Sequence, residues 1–349
     1  STHPFTIRTI ADDSSDGQAW QCFVDKHQGA TLFHGLEWMR AVCSAFGHQQ
    51  HYLMAMECGE VRGVLPLFQV DSLIAGRLLV SVPYATYGGV LADGETATTA
   101  LLDRVRDLAA NMGARSIDLR SIKAADKEAP ISNSHAYFTK PLQASGDVSE
   151  MLPRKARAAA RRAIEKYPLK TEFSHRNLRA VWRLYTRSMR RLGSPNYPLR
   201  FFEAIAKELG PRCAVQLVTC GGKPVAGLVS FVHRDTMMPY FLGVDERVDL
   251  YGLSHYVYLE SMKWAVGAGL RFYDFGRSRY DNPGPFNFKK MCGFEPRALE
   301  YQTIVTVGQS APDLASTSPR YAAVRRLWKY LPLALTRPIG GFLSASLPG

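Results

Sequence analysis

Asp274, Arg277, Ser278, Lys289 and Lys290 stand close together in one stretch, Tyr273 to Leu299, whose other residues are rich in glycine, proline and phenylalanine. Tyr273-Asp274-Phe275 closes an alternating apolar run and reads as the end of a buried strand. Gly276 breaks it, and Pro283, Gly284 and Pro285 are expected to force an irregular turn. Phe286 and Phe288 flank Asn287 and precede the lysine pair. An arginine offers a two-pronged donor and a lysine a compact charge. The stretch therefore reads as a pocket floor that places Arg277 and Lys289 or Lys290 near an anionic ligand. The alternative is a twisted loop whose phenylalanines fill the core. No histidine–carboxylate or serine-based triad stands at a recognisable spacing, which speaks against covalent catalysis. His255 reads as a surface residue at a helix entry.

The elements that must position these groups follow an α/β pattern. Residues 4–10 alternate as a first strand, followed by a turn at Asp12 and Asp13. Trp20, Phe23 and Val24 fall at helical spacing, and Leu36–Phe46 is a short helix. Tyr52–Glu57 and Val61–Val70 form a hairpin around Cys58-Gly59-Glu60. Leu78–Val82 is a strand, Thr96–Met112 an amphipathic helix stopped by Gly113, and Ser116–Arg120 the next strand. Tyr137–Leu142 adds another. A strongly basic helix runs from about 149 to 167, its expected buried face being Ala156, Ala160, Ala163 and Ile164. Helices at Asn177–Leu192 and Leu199–Leu209, a second hairpin around Cys220-Gly221-Gly222, a strand at Pro239–Gly243 and a helix at Ser254–Val266 lead back to the strand ending at Phe275.

The two halves repeat. Each runs hairpin, strand, helix, glycine, strand, and Gly113-Ala114-Arg115-Ser116-Ile117-Asp118-Leu119 matches Gly269-Leu270-Arg271-Phe272-Tyr273-Asp274-Phe275 position for position. One α/β unit is thus read twice, with domains at 1–147 and 171–307, a basic connecting helix at 148–170 and a linker with an amphipathic tail at 308–349. The lysine loop has no counterpart in the first half, which places the chemistry in the second copy or at the interface.

The chain has 349 residues, 46% hydrophobic and 21% charged, with a formal net charge of +12. That excess favours an anionic partner without choosing one. The six cysteines are scattered, with no CxxC pair and no cysteine–histidine metal spacing, so free thiols in a reducing compartment are expected and no metal. The opening STHPF lacks a signal-peptide pattern, and no apolar run reaches membrane-spanning length. In the tail, Tyr321–Leu335 mixes apolar residues with Arg325, Arg326 and Lys329. It suits either an anionic membrane surface or docking on the domains.

Four segments carry a family resemblance: the basic helix with Arg157, Arg161, Ala163 and Lys166; the turn Leu192-Gly193-Ser194-Pro195-Asn196-Tyr197-Pro198; the strand end Asp274-Phe275-Gly276-Arg277-Ser278; and Phe288-Lys289-Lys290-Met291-Cys292-Gly293-Phe294. On these the chain resembles the Fem family of aminoacyl (peptidyl) transferases, and most of all the Fem-like proteins that accompany exosortase and exopolysaccharide systems. Many relatives carry tryptophan where this chain has Cys292. The resemblance implies two tandem acetyltransferase-like (GNAT) domains, each with a mixed sheet flanked by helices. It also implies transfer of an acyl or aminoacyl group to an amine or hydroxyl of an envelope precursor, peptidoglycan precursor or exopolysaccharide. The donor would be aminoacyl-tRNA or acyl-CoA, with no tightly bound cofactor.

Within that reaction Lys289 would stabilise the oxyanion or bind donor phosphate. Arg277 would hold an anionic part of a substrate, and Asp274 would be a base or a turn cap. Ser278, Lys290, Phe288, Asn196, Tyr197, Arg157 and Arg161 would bind substrate. The glycine-rich pyrophosphate signal of such folds is reduced to Gly252 in the run Asp249–Ser254. The expected setting is cytoplasmic, with a phosphate-bearing donor, a lipid-linked or polysaccharide acceptor and possible contact with the inner membrane surface. The competing reading is a non-catalytic binder of nucleic acid or another anionic polymer.

Overall fold

A computed structural model describes residues 5–11, 14–143, 146–245, 247–309 and 322–347. Asp12 and Asp13 of the expected first turn, the polar linker read at 312–319 and Tyr321 of the tail lie outside the described residues.

The first unit opens with β1 (Thr6–Thr9), α1 (Ser15–Lys26), α2 (Leu36–Phe46), β2 (Gln49–Gln50), β3 (Leu53–Glu57), β4 (Glu60–Leu65), β5 (Phe68–Ser72), β6 (Gly76–Val80), β7 (Leu91–Ala92), α3 (Glu95–Met112), β8 (Ser116–Leu119) and β9 (Ile131–Ser132). The second holds β10 (His135–Pro141), α4 (Arg154–Lys166), β11 (Leu169–Phe173), α5 (Leu178–Leu192), α6 (Leu199–Leu209), β12 (Cys213–Cys220), β13 (Lys223–His233), β14 (Thr236–Val244), α7 (Leu253–Gly267), β15 (Phe272–Arg279), α8 (Pro283–Met291) and β16 (Pro296–Ala298). β17 (Tyr301–Val305), α9 (Ala322–Trp328) and α10 (Leu333–Leu343) complete the chain.

The second unit is one seven-stranded sheet, ordered β11-β12-β13-β14-β15-β10-β16. Only β14 and β15 run parallel among its neighbours. The first unit follows the same order divided between two sheets, β1-β3-β4-β7 and β2-β5-β6-β8-β17-β9, with the short β7 and β2 added where the sheets divide. The single return strand expected at Val61–Val70 is therefore two strands. Pro66 falls between them, and a proline has no N–H for a continuous ladder.

The repeat extends to individual hydrogen bonds. Cys58 and Gly59 turn the first hairpin with φ of 49° and 85°, and Gly221 and Gly222 turn the second with 55° and 78°. Both have the positive φ at two central residues that a tight hairpin of this twist requires. The true counterpart of Cys58-Gly59 is thus Gly221-Gly222, one residue on from the Cys220-Gly221 pairing that sequence similarity suggests. Both hairpins shift register two residues before the turn, at Ala55/Met56 and Val218/Thr219. The helices preceding β8 and β15 end alike: Ala114 N–H donates to Ala109 O and Gly113 N–H to Ala110 O, as Leu270 does to Ala265 and Gly269 to Val266.

Two strands change places along the chain. The strand read at 137–142 with the first copy is β10, which pairs with β15 and β16 in the second sheet. β17, within the expected second copy, pairs with β8 and β9 in the first. Compact packing follows these pairings, so Ser134–Ala298 belong to one unit and β17 returns to the other, while α9 and most of α10 group with the second.

The basic helix α4 belongs to the second unit's core. Its buried face is Ala156, Ala159, Ala160 and Ala163, while Ile164, expected on that face, is exposed. Small residues are needed because α7 comes close: a Cβ on Gly252 would lie 2.1 Å from the carbonyl oxygen of Ala159. Ile164 lies off the contact line and would be too bulky on it. Among the described residues, no helix is long and apolar enough to cross a membrane.

Candidate functional site

β14 and β15 are paired only at Thr236↔Phe272 and Met237↔Tyr273. β14 continues to Val244 and β15 to Arg279, so the two strands part at Asp274. β14 also gains an extra residue at Tyr240, between the pairs Val229↔Phe241 and Ser230↔Pro239, and Pro239 is tolerated beside that bulge. A parallel pair that forks leaves backbone donors and acceptors beyond the fork available to a ligand.

The fork is shaped by a second irregularity, on β15. β10 pairs Tyr137 with Arg277 but Thr139 with Asp274, so β15 carries one extra residue between them. Gly276 makes this bulge with φ 64°, where a side chain would be strained. Asp274 then caps it: its Oδ1 accepts the Gly276 N–H at 2.7 Å. Burial pushes the Asp274 carboxyl up to about 6, against the Gly276 hydrogen bond and the charge of Lys289.

Lys289 reaches the same bulge from α8. Its Nζ donates to the carbonyl of Arg277 at 2.7 Å and to that of Gly276 at 3.3 Å. It also lies 5.2 Å above the Phe138 ring and 5.8 Å from the Phe275 ring. Burial lowers its pKa to about 7, with Asp274 opposing and Arg277 reinforcing the shift. The Pro283-Gly284-Pro285 run, expected as an irregular turn, is the first turn of α8, where prolines are tolerated because the opening N–H groups have no helical partner. Lys289 and Lys290 are therefore separated by helical rotation: Lys289 is 9% exposed and Lys290 faces solvent.

The other expected residues divide. Arg277 is half-buried on β15, close enough for its charge to act on Lys289. Asp281 forms a two-pronged pair with Arg279, both contacts 2.8 Å. Ser278 is buried and its hydroxyl makes no hydrogen bond. Phe288 packs 5.0 Å from the His255 ring and 5.5 Å from that of Tyr258. His255 is thus half-buried beside the fork instead of on the open surface, and burial lowers its pKa. Tyr273 is core, its hydroxyl 2.5 Å from Ser261 Oγ.

Arg157 and Arg161 lie on α4, away from its alanine face. Arg161 is exposed and 3.6 Å from Glu165. A groove between the end of α4 and the start of α7 is lined by Arg162, Glu165, Lys166 and Tyr251. Asn196 and Tyr197 are engaged elsewhere. Asn196 is 2% exposed and donates to the carbonyls of Tyr197 and Arg337, holding α10. Tyr197 accepts from Trp182 Nε1 and packs against Phe201 and Phe241.

Sequence reasoning missed Phe138 and His255. The alternation of 137–142 marked a strand but could not show that it pairs with β15, and a lone histidine at a helix start gives no sign of a neighbour more than thirty residues on.

The corresponding place in the first unit is filled by its own chain. β6 ends at Val80, and residues 81–89 are buried. Arg120, 3% exposed, donates to the carbonyls of Val82 and Ala85, Gly88 N–H donates to Arg120 O, and Trp38 Nε1 donates to Pro83 O.

Residues 152–290, which contain this fork, match the family model of the acetyltransferase (GNAT) domain. Among solved structures the chain is similar to FemX, at 16% identity and TM-score 0.64 over 86% of this chain and 97% of that one. It is similar to a tandem GNAT protein from the clavulanic acid biosynthesis pathway, at 14% identity and TM-score 0.56 over 88% and 100%. It is also similar to the C-terminal domain of a putative lysylphosphatidylglycerol synthetase from Agrobacterium fabrum, at 14% and 0.55 over 84% and 93%. No curated protein matches the chain. The architecture is tandem GNAT-like, with mixed sheets flanked by helices.

Proposed function

We propose that this protein is an acyl or aminoacyl transferase whose reaction runs at the fork between β14 and β15. The observation that carries this reading is the parting of that parallel pair at Asp274, with Lys289 fixed against the bulge beside it. An acyl donor with amide groups can add to the free edge of β14 and bring its carbonyl to the fork. An acceptor amine or hydroxyl then attacks that carbonyl, the ester or thioester bond to the donor breaks, and the acceptor's proton must leave.

Asp274 is the base in this scheme. With its pKa near 6 it is ionised at neutral pH yet more basic than an ordinary aspartate. Lys289 and Arg277 hold positive potential where the oxyanion develops, in a site of low dielectric. Ser278, with its buried hydroxyl free, and Phe288 contact substrate, while Arg157, Arg161 and the exposed Lys290 steer a phosphate-bearing donor. The filled fork of the first unit supports placing the chemistry in the second.

The donor is acyl-CoA or aminoacyl-tRNA, and the acceptor is a hydroxyl or amine on an envelope lipid, peptidoglycan precursor or exopolysaccharide. The GNAT match supports a CoA thioester. The fold shared with a lysylphosphatidylglycerol synthetase domain supports an aminoacyl donor and a lipid hydroxyl. The test is native mass spectrometry of the protein with acetyl-CoA, longer acyl-CoA and charged tRNA, followed by turnover of whichever donor binds. Binding without turnover against amine and hydroxyl acceptors counts against the transferase.

A further inference from the structure

The C-terminal helices present two faces of opposite character. One face of α10 docks on the second unit. Thr336 and Gly340 are buried there, and Gly340 comes so close to Asn196 that a Cβ would lie 2.6 Å from its Oδ1. Arg337 donates to Thr186 Oγ1 at 3.1 Å and stacks over Trp182. The other face is in water and wholly apolar: Ala334, Leu335, Pro338, Ile339 and Phe342 are its exposed residues. The spacing 335, 339, 342 puts the large ones on one stripe. A helix end that only packed on its own domain would carry polar residues on this side.

Just before it, Leu327 and Tyr330 are exposed, at 64% and 81%, beside the exposed cations Arg326 and Lys329. From Arg320 to Gly349 the chain has five basic residues and no acidic one. An apolar stripe flanked only by cations and a tyrosine fits an anionic lipid headgroup layer, the tyrosine at the interface and the aliphatic groups below it. A protein partner large enough to cover the stripe would have to supply all the countercharge itself.

We propose that the exposed face of α10, with Arg326, Lys329 and Tyr330, docks this protein on an anionic bilayer while the opposite face stays on the second unit. This surface stands independently of the transferase reading.

The test is co-sedimentation of the full chain with phosphatidylglycerol/phosphatidylcholine vesicles and with pure phosphatidylcholine vesicles. Wild type is expected to prefer the anionic vesicles, and less so as salt rises. Leu335→Asp with Ile339→Asp is expected to lower the partition coefficient roughly tenfold or more, and Arg326→Glu with Lys329→Glu to abolish the preference for anionic lipid. A Tyr330→Trp variant, read as the difference from wild type, reports independently of those changes and is expected to shift its emission to the blue on adding anionic vesicles. Equal binding of both vesicle types, undiminished binding of the aspartate variant, or no emission shift overturns the proposal. So does a dimer that the aspartate variant dissociates and that binds no vesicles, because the occupant is then a second copy.

Discussion

The ammonium of Lys289 donates to the carbonyl oxygen of Arg277 across 2.7 Å. It thereby ties α8 to the bulge in β15 at the point where the sheet forks. In the proposed site Lys289 would hold the shape as well as the charge, and the two roles separate experimentally. Lys289→Met is expected to abolish transfer and to cost about 1–3 kcal/mol of stability, since two carbonyls of the bulge lose a donor. Lys290→Met, altering an exposed residue, is expected to stay within about 0.5 kcal/mol and keep most activity. Urea unfolding and turnover on both variants check this. Equal, small effects would remove Lys289 from the centre.

Asp274 makes stability depend on pH in a defined direction. Its folded pKa is about 6, above its usual 3.8, so the unfolded chain releases this proton first as pH rises. The contribution of the group is present below the usual value and lost as pH climbs through about 6. Lys289, lowered to about 7, adds a contribution lost as pH falls through that value. Asp274→Asn keeps the acceptor for the Gly276 N–H and removes the buried anion. Its stability relative to wild type is expected to improve between about pH 4 and pH 7, by at most roughly 3 kcal/mol, less any loss of attraction to Lys289. Denaturant titrations at both ends of that window decide it. Its turnover is expected to fall sharply, as loss of a general base requires.

Arg277 and the α4 arginines are expected to fail differently. Arg277→Ala should lose most of kcat even at saturating donor, because the charge beside Lys289 disappears. Arg157→Ala with Arg161→Ala should raise KM with kcat nearly kept, and most at low ionic strength, where screening is weakest. Steady-state kinetics at two salt concentrations separates them, and wild-type kcat in Arg277→Ala would end its role in the site.

Asn196, read from sequence as a substrate contact, is expected to behave as a clamp on the tail. Asn196→Ala removes its bonds to the Tyr197 and Arg337 carbonyls. Limited proteolysis should then cut within α9–α10 several-fold faster, with KM for the donor unchanged. A raised KM with normal tail protection would return Asn196 to the substrate site.

Local chain chemistry was legible without coordinates. Glycine at 113 and 269, the paired hairpin turns and the alternating and helical runs are set by backbone sterics and burial periods within a few residues, and they marked the repeat and most elements correctly. The clustering of Asp274, Arg277 and Lys289 was legible too, because a β-strand end and the next helix lie within seventeen residues of sequence. What tertiary structure alone decided were long-range pairings. β10 and β17 fill each other's expected places because hydrogen-bond partners in a sheet are chosen by edge and register, which alternation along one strand does not encode. The same holds for Phe138 over Lys289, for His255 beside Phe288 and for Asn196 under α10. Each depends on which distant surface closes over the residue, and that is fixed only when the whole core packs.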